Sequence, residues 1–302
     1  MDRLQAMTAF VRVVEQGSFA RAADRLGMSV SSVSRLVAEL ERHLDARLLN
    51  RTTRRLSLTE TGQDFHQRCV QLLSDLEEAE EAAGAGSARP RGTLRVSAPI
   101  TFGTRHLAAA VAEFVDIHPG LRLELDLSDR GVDLVDEGFD LAVRIGPVGA
   151  GSLVARRIGT TRMVCCAAPR YLARRGTPRT PADLAEHDCL TYEYSADRDL
   201  WRFRGADSAV HDVRVEGPVH ANNGRFLEAL AVAGLGITFE PDFIVGPDVR
   251  AGRLVPLLTE FEAPASGIHV VYPSRRHLSA KVRAFTEFLA TRFQVPEWAL
   301  ER

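Results

Sequence analysis

At 100° per residue, Val30, Val33, Val37, Leu40 and Leu44 fall on one stripe with Leu36 at its edge, predicting a helix that buries this face. Ser29 precedes it as an N-cap. A shorter helix over Phe19–Leu26 lies just upstream, with Ser18 in the capping position and Gly27 placed to end it. About three residues join the two, the spacing of a DNA-binding helix-turn-helix. Away from the stripe, the second helix carries Ser31, Ser32, Arg35, Ala38, Glu39 and Arg42. Small residues let a helix approach closely, and hydrogen-bonding ones near its N-terminal end sit where a recognition helix meets base edges. Residues 50–58 (NRTTRRLSL) then alternate and turn like a β-hairpin, setting Arg51, Arg54 and Arg55 where a wing touches phosphate or the minor groove. An isolated arginine cluster reads as a solvated turn. Here caps, stripe, small exposed face and basic wing agree, and they point to double-stranded DNA as a partner.

Further along, Phe65, Cys69, Leu72, Leu76, Ala79 and Ala83 are spaced 4, 3, 4, 3, 4, the seam of a coiled coil. The helix that carries them has about 23 residues and is roughly 35 Å long. That suffices to pair two copies and hold their recognition helices about one DNA turn apart; the alternative is a helix packed on its own domain. The acidic run Glu77, Glu78, Glu80, Glu81 lies off the seam as a solvated face. Residues 84–92 (GAGSARPRG) break the helix with a flexible composition and mark a domain boundary. The predicted layout is a winged helix-turn-helix over 1–60, a linker helix and hinge over 61–92, and a larger C-terminal domain over 93–302.

From Thr93 onward strands and helices alternate. Strands are predicted at Leu94–Ser97, Leu121–Leu127 and Asp140–Ile145, with helices at Thr104–Ile117 and, briefly, Val132–Glu137. A second set follows: Arg162–Ala167, Arg170–Arg175, a short strand at Cys189–Tyr192, Val213–Val219, a helix at Arg225–Ala233, and Ile237–Phe239. Ile268–Tyr272 and the helix Ser279–Phe293 close the chain. This order predicts an α/β fold with a mostly parallel sheet and covering helices.

Helix starts after strand ends have free N–H groups and a positive dipole end, and ligands of open α/β sheets sit outside the carboxyl ends of strands. Residues 97–103 (SAPITFG) and 221–224 (ANNG) are two such starts. A small-molecule effector, anionic by this argument, is therefore expected against Ser97, Thr101, Ser128, Arg144, Asn222 and Asn223. Each Ser, Thr or Asn also reads as an ordinary cap or turn residue, and Arg144 as the partner of a local carboxylate.

Composition fits a globular chain: 302 residues, 45% hydrophobic and 26% charged, with a net charge of -2. The charge is uneven, ten Arg against seven Asp and Glu over residues 1–62, so the N-terminal module is mildly basic. Lys281 is the only lysine, which makes arginine a habit of this chain and weakens arguments from any single one. No apolar run reaches the roughly 18 residues of a membrane span and the first residues do not open a signal peptide, so a cytoplasmic protein is expected. Cys69, Cys165, Cys166 and Cys189 have no metal-ligand spacing and read as reduced core or seam residues, a redox switch being the alternative. There is no G-x-S-x-G elbow, no G-x-G-x-x-G fingerprint, no P-loop and no H-E-x-x-H pair. Neither enzyme activity nor a cofactor nor a metal is expected, although an α/β domain also suits an enzyme or a solute-binding protein.

Phe10–Gly17 (FVRVVEQG), Ser18–Leu26 (SFARAADRL), Ser29–Leu40 (SVSSVSRLVAEL) and Leu49–Gly62 (LNRTTRRLSLTETG) together resemble the LysR-type transcriptional regulators of bacteria. The resemblance implies that Ser31, Ser32, Ser34 and Arg35 read bases or touch phosphate, with Arg51, Arg54 and Arg55 in the wing. It also implies a two-lobed, periplasmic-binding-protein-like effector domain in which the last strand and helix return to the first lobe. Lobe I would span about 93–160 and 268–302, and lobe II about 161–267, with crossings near Gly159–Arg162 and Ala263–Gly267. Variable linker angles would allow a dimer of dimers. One residue departs from the pattern: Glu240 stands before Pro241, where many relatives carry an apolar residue. At the cleft mouth, a carboxylate there could repel an anion, recognise an amine or hydroxyl, or pair with Arg144 or Arg225.

Overall fold

The computed structural model describes residues 2–51, 56–83, 90–148, 153–195, 199–263, 265–274 and 278–300, with the backbone alone at 51, 74, 75 and 77–83. Arg54, Arg55 and linker residues 84–89 lie outside the described residues. Met1–Ala88 makes up one unit, and the chain from Arg89 onward the bulk of a second.

In the first unit, helices α1 (Arg3–Gln16), α2 (Phe19–Leu26) and α3 (Val30–Leu44) precede the antiparallel pair β1 (Leu49–Arg51) and β2 (Leu56–Leu58), and α4 (Glu60–Ala83) follows. Asp2, Ser18 and Ser29 accept backbone N–H groups at the three helix starts. Gly27 closes α2 at φ +63°, a left-handed turn that costs glycine nothing. Phe10, Val13, Val33, Val37, Leu40 and Leu48 form a fully buried core. Val30 departs from the expected stripe and is 47% exposed. A helical side chain leans toward the N-terminus, so at the first position it projects past the end of the helix.

The seam expected along α4 is divided. Phe65, Cys69, Val70 and Leu73 pack into this unit's own core, and Phe65 lies 6.0 Å from the ring of Phe10. Leu72 is 45% exposed. The start of the apolar stripe is therefore already covered within one copy, a correction to the reading of one continuous intersubunit seam. The side chains of Ala79 and Ala83 are outside the description.

The second unit is built on a nine-stranded sheet. Its strands are β3 (Gly92–Ala98), β4 (Leu121–Leu127), β5 (Leu141–Ile145), β6 (Leu153–Ala167), β7 (Cys189–Tyr192), β10 (His220–Ala221), β11 (Ile237–Pro241), β12 (Val255–Pro256) and β13 (Ala265–Pro273), in the order β10-β7-β11-β6-β13-β5-β3-β4 with β12 beside β6. A separate hairpin joins β8 (Leu200–Arg204) to β9 (Val210–Arg214). Pairing at both flanks is parallel, whereas β5–β13, β13–β6 and β6–β11 are antiparallel. The sheet is thus mixed rather than mostly parallel. The long strand β6 causes this: residues 153–162 pair with β13 in lobe I and residues 163–167 with β11 in lobe II.

Helices α5 (Ile100–Phe102) and α6 (Ala108–Ile117) form one continuous rod through a π turn at Gly103–Leu107. It starts four residues earlier than the pattern suggested. The expected short helix at Val132–Glu137 is an irregular turn, and the strand expected at Val213–Val219 ends at Arg214. Lobe II carries α7 (Pro169–Arg175), α8 (Gly224–Val232) and α9 (Asp242–Arg250), and α10 (Ala280–Arg292) returns to lobe I against β6 and α6.

The lobes meet through an aromatic cluster of Phe102, His106, Phe243, Phe293 and Trp298. They are also tied by a backbone defect. Pro247 inside α9 has no N–H for the carbonyl of Phe243. Arg105, in the π turn of lobe I, donates to that carbonyl at 3.3 Å and to the next one, Ile244, and forms an ion pair with Glu228 at 3.6 Å. Single-turn π bulges often mark functional positions because they re-aim side chains. Here the re-aimed group spans two lobes.

Candidate DNA interface and interlobe site

The start of α3 presents a compact polar surface. The Ser29 hydroxyl accepts the Ser32 N–H at 3.1 Å and lies 2.9 Å from the Ser31 hydroxyl and 2.8 Å from that of Ser32. Each hydroxyl offers one donor and two acceptor sites, so this cluster keeps capacity for an outside partner. Ser31 and Arg35 are exposed, and Ser32 and Ser34 half-buried. Among the described residues Arg35 makes no hydrogen bond or ion pair. Such a guanidinium can address guanine in the major groove or a phosphate. Arg51 is described through its backbone in β1, paired with Leu56.

Two residues that hold this surface were not legible as such. Glu41 accepts the N–H groups of Leu48 and Leu49 at 2.9 and 3.1 Å, fixing β1 against α3. Thr59 donates to the Arg47 carbonyl at 2.6 Å and accepts the Gly62 N–H, which ties the wing to the start of α4. The T-x-x-G spacing was the available signal for the second; the first depends on a contact seven residues away.

In the second unit the predicted residues divide into two groups. Ser97 is fully buried and accepts from Arg144 Nη2 at 3.1 Å, while Nη1 of Arg144 donates to the Val143 carbonyl. Thr101 is also buried. Ser128 accepts the Arg130 N–H, an ordinary turn bond, and Asn222 is exposed. Asn223 caps α8 by accepting the Phe226 N–H at 3.0 Å. Sequence reasoning missed the residue that connects these parts: Asp129 Oδ1 accepts the Ile100 N–H at 2.9 Å, and Oδ2 accepts from Asn223 Nδ2 at 3.4 Å. One carboxylate therefore occupies the helix start of lobe I and reaches the helix cap of lobe II. Burial raises its pKa, against the bonds from Ile100 and Asn223 and the charge of Arg144.

Glu240 does not stand free at a cleft mouth, and it pairs with neither Arg144 nor Arg225. It is 3% exposed. Along β11, Ile237 and Phe239 face the core containing Trp201 and Phe203, so the two-residue period turns Glu240 toward α8. Its carboxyl lies so close to the backbone at Gly224 that any Cβ there would overlap it. Arg225 instead pairs with Glu228 and, at 3.5 Å, with Asp248. Burial, with the like charges of Asp129 and Glu228, pushes the Glu240 carboxyl up to about 8. Burial and a bond to Asp248 likewise raise Glu228 to about 7.

All four cysteines are free and buried, and burial pushes Cys69 up to about 11 and Cys189 up to about 12, which suits inert thiols. Among the described residues no group of His, Cys, Asp or Glu could hold a metal ion, and no helix is long and apolar enough to cross a membrane.

Comparison with known proteins gives concordant matches. The model of bacterial regulatory helix-turn-helix proteins of the lysR family matches residues 4–63, and that of the LysR substrate binding domain matches residues 87–294. An HTH-type transcriptional regulator of Haemophilus influenzae is 40% identical over 282 residues, 93% of this chain and 98% of its own. An HTH-type transcriptional repressor of Pseudomonas aeruginosa is 37% identical over 295 residues, 97% of this chain and 93% of its own. The solved structure of CrgA, a LysR-type transcriptional regulator from Neisseria meningitidis, superposes with a TM-score of 0.61 at 35% identity, covering 95% of this chain and 97% of that one.

Proposed function

The chain belongs to the LysR family of bacterial transcriptional regulators, and from that premise we propose how its parts divide the work. Ser31, Ser32, Ser34 and Arg35 at the start of α3 read the operator, and Arg51, Arg54 and Arg55 add phosphate contacts. A small-molecule effector binds between the lobes of the regulatory unit. One observation carries this second assignment: Asp129 joins the start of α5 to the cap of α8, so a ligand competing for those bonds changes the relative free energy of two lobe arrangements.

Self-association as a dimer of dimers completes the reading. Leu72 is exposed on α4, and the regulatory sheet ends in edges flanked by exposed Val115, Ile117 and Leu125 on one side and Phe226 on the other. Bound to the bacterial chromosome, the protein works in the cytoplasm.

Footprinting on the DNA upstream of its own gene tests the reading. The full chain is expected to protect a discrete site, in a pattern that a small molecule alters. Asn223→Ala should keep the protection and lose the alteration. Uniform protection of unrelated DNA would remove the regulator, and an alteration that survives Asn223→Ala would place the effector elsewhere.

A further inference from the structure

Two helix starts point to the interlobe site and suggest an anion, yet at each start one N–H group is already met by an oxygen of the protein's own side chains. Ile100 N–H is taken by Asp129 and Phe226 N–H by Asn223. Arg144 is turned to Ser97 and to its neighbour's carbonyl. Two carboxyl groups remain: Asp129 beside Asn223, still within reach of the Arg144 charge, and Glu240 immediately behind the first residue of the same helix.

Glu240 is the decisive group. It is almost wholly buried, and among the described residues its Oε1 has no hydrogen-bond partner. An unpaired buried carboxyl oxygen forfeits on the order of 1–3 kcal/mol or more, so its retention calls for a compensating role. The groups that bear on its ionisation, Asp129 and Glu228, are both acidic. Tyr192, on the neighbouring strand β7, lies within electrostatic reach of Asp129 and Glu240, and its ring packs edge-on to Tyr194 at 5.9 Å. Carboxylates with tyrosine faces nearby attract an organic cation through charge-assisted hydrogen bonds and ring quadrupoles.

We propose that the effector carries a protonated amine, held between Asp129 and Glu240 with Tyr192 beside it. The inference rests on the interlobe reading above and deepens it by naming the ligand's charge. An ammonium donates to the unpaired Oε1 and to Asp129, competing with the Ile100 and Asn223 bonds that link the lobes. Because a cation favours the ionised form of a buried acid, binding near neutral pH expels a proton from Glu240. The other titratable groups packed around it are Glu228 on α8, Cys166 on β6 and Tyr192; Glu228 shares Arg225 with Asp248 and also pairs with Arg105.

The test uses the full chain with size-matched probes: n-butylamine and 1,4-diaminobutane against butyrate and succinate, read by thermal shift and titration calorimetry. The amines are expected to raise Tm and to release protons, seen as a buffer-dependent heat. Glu240→Gln, which preserves shape, should weaken them about 10- to 100-fold and abolish the proton release; Asp129→Asn should weaken them similarly. Operator binding by both variants checks that they are folded. Failure of both amines to bind the wild type, or stabilisation by the carboxylates alone, overturns the proposal. Carboxylate binding lost in Arg144→Ala would do so while preserving the interlobe reading. Amine binding indifferent to all three substitutions would overturn both.

Discussion

The two surfaces proposed to carry function are built by opposite means. At the start of α3, proposed above to read DNA, the helix is capped from within: Ser29 satisfies Ser32 three residues away, and the outward face is left open. At the interlobe site the cap is remote. Ile100 is met by Asp129, 29 residues on, and Asp129 is met by Asn223, a further 94 residues away. A local cap makes a rigid reading head whose shape depends on little else. A remote cap makes a joint, because the bond that satisfies a helix start also holds two lobes in one arrangement. Recognition and response thus differ in the sequence distance over which their hydrogen bonds close.

If that contrast is right, the largest effect should come from breaking what pairs the reading heads. Leu72→Glu combined with Leu76→Glu sets like charges across the part of α4 beyond its own core. Dimers should dissociate in analytical ultracentrifugation and operator affinity should fall by orders of magnitude, since each head then binds alone. A variant sedimenting as the wild type does would mean that α4 is not the pairing element.

The next effect sharpens the other side. Glu240 in the folded chain titrates near 8, against an ordinary 4.5. A carboxyl with a raised folded pKa binds more protons folded than unfolded between these values, so its contribution to stability is complete below pH 4.5 and is lost as pH rises through 8. Across that window the loss is on the order of a few kcal/mol. Glu240→Gln should match the wild type in Tm near pH 5 and exceed it increasingly toward pH 9. A constant difference would show the carboxyl to be solvated.

This comparison also explains what was legible. The helix-turn-helix could be read because its signals are short-range: Ser18, Gly27, Ser29 and the Val33–Leu40 stripe act within one or two turns. In the regulatory unit the parallel strands β3, β4 and β5 were visible from alternation with helices, but the antiparallel centre was not, since β13 joins β6 from more than a hundred residues away. Helix α9 was hidden by its own proline, and the freed carbonyl that recruits Arg105 was hidden with it. Asp129 could not be singled out because nothing local reveals that its two oxygens meet the starts of two helices. Glu240 could be flagged by its residue type; its burial could not, because the side of β11 that it occupies is set by α8.

Arg35→Ala probes the reading head at intermediate cost. A guanidinium bidentate to guanine contributes about 1–3 kcal/mol of base discrimination. Specific binding should weaken by roughly 5- to 150-fold while binding to unrelated DNA changes little. Equal loss on every sequence would make Arg35 a phosphate contact, and then the reduction in salt slope of about one per charge should accompany it.

The smallest effect separates the two kinds of cap most directly. Ser29→Ala and Asn223→Ala each delete a side-chain acceptor at a helix start, and each should cost about 1 kcal/mol by denaturant unfolding. Their consequences should then diverge. Ser29→Ala perturbs the hydroxyl cluster with Ser31 and Ser32, so it should lower operator affinity and leave ligand response untouched. Asn223→Ala also removes the bond to Asp129, so operator affinity without ligand should persist while the ligand-induced change in footprint disappears. A cap that matters only for its own helix would give the same stability loss and neither functional change. If Asn223→Ala behaved that way, the 3.4 Å bond across the lobes would be incidental and the joint would reside in Arg105 and the carbonyls of α9 instead.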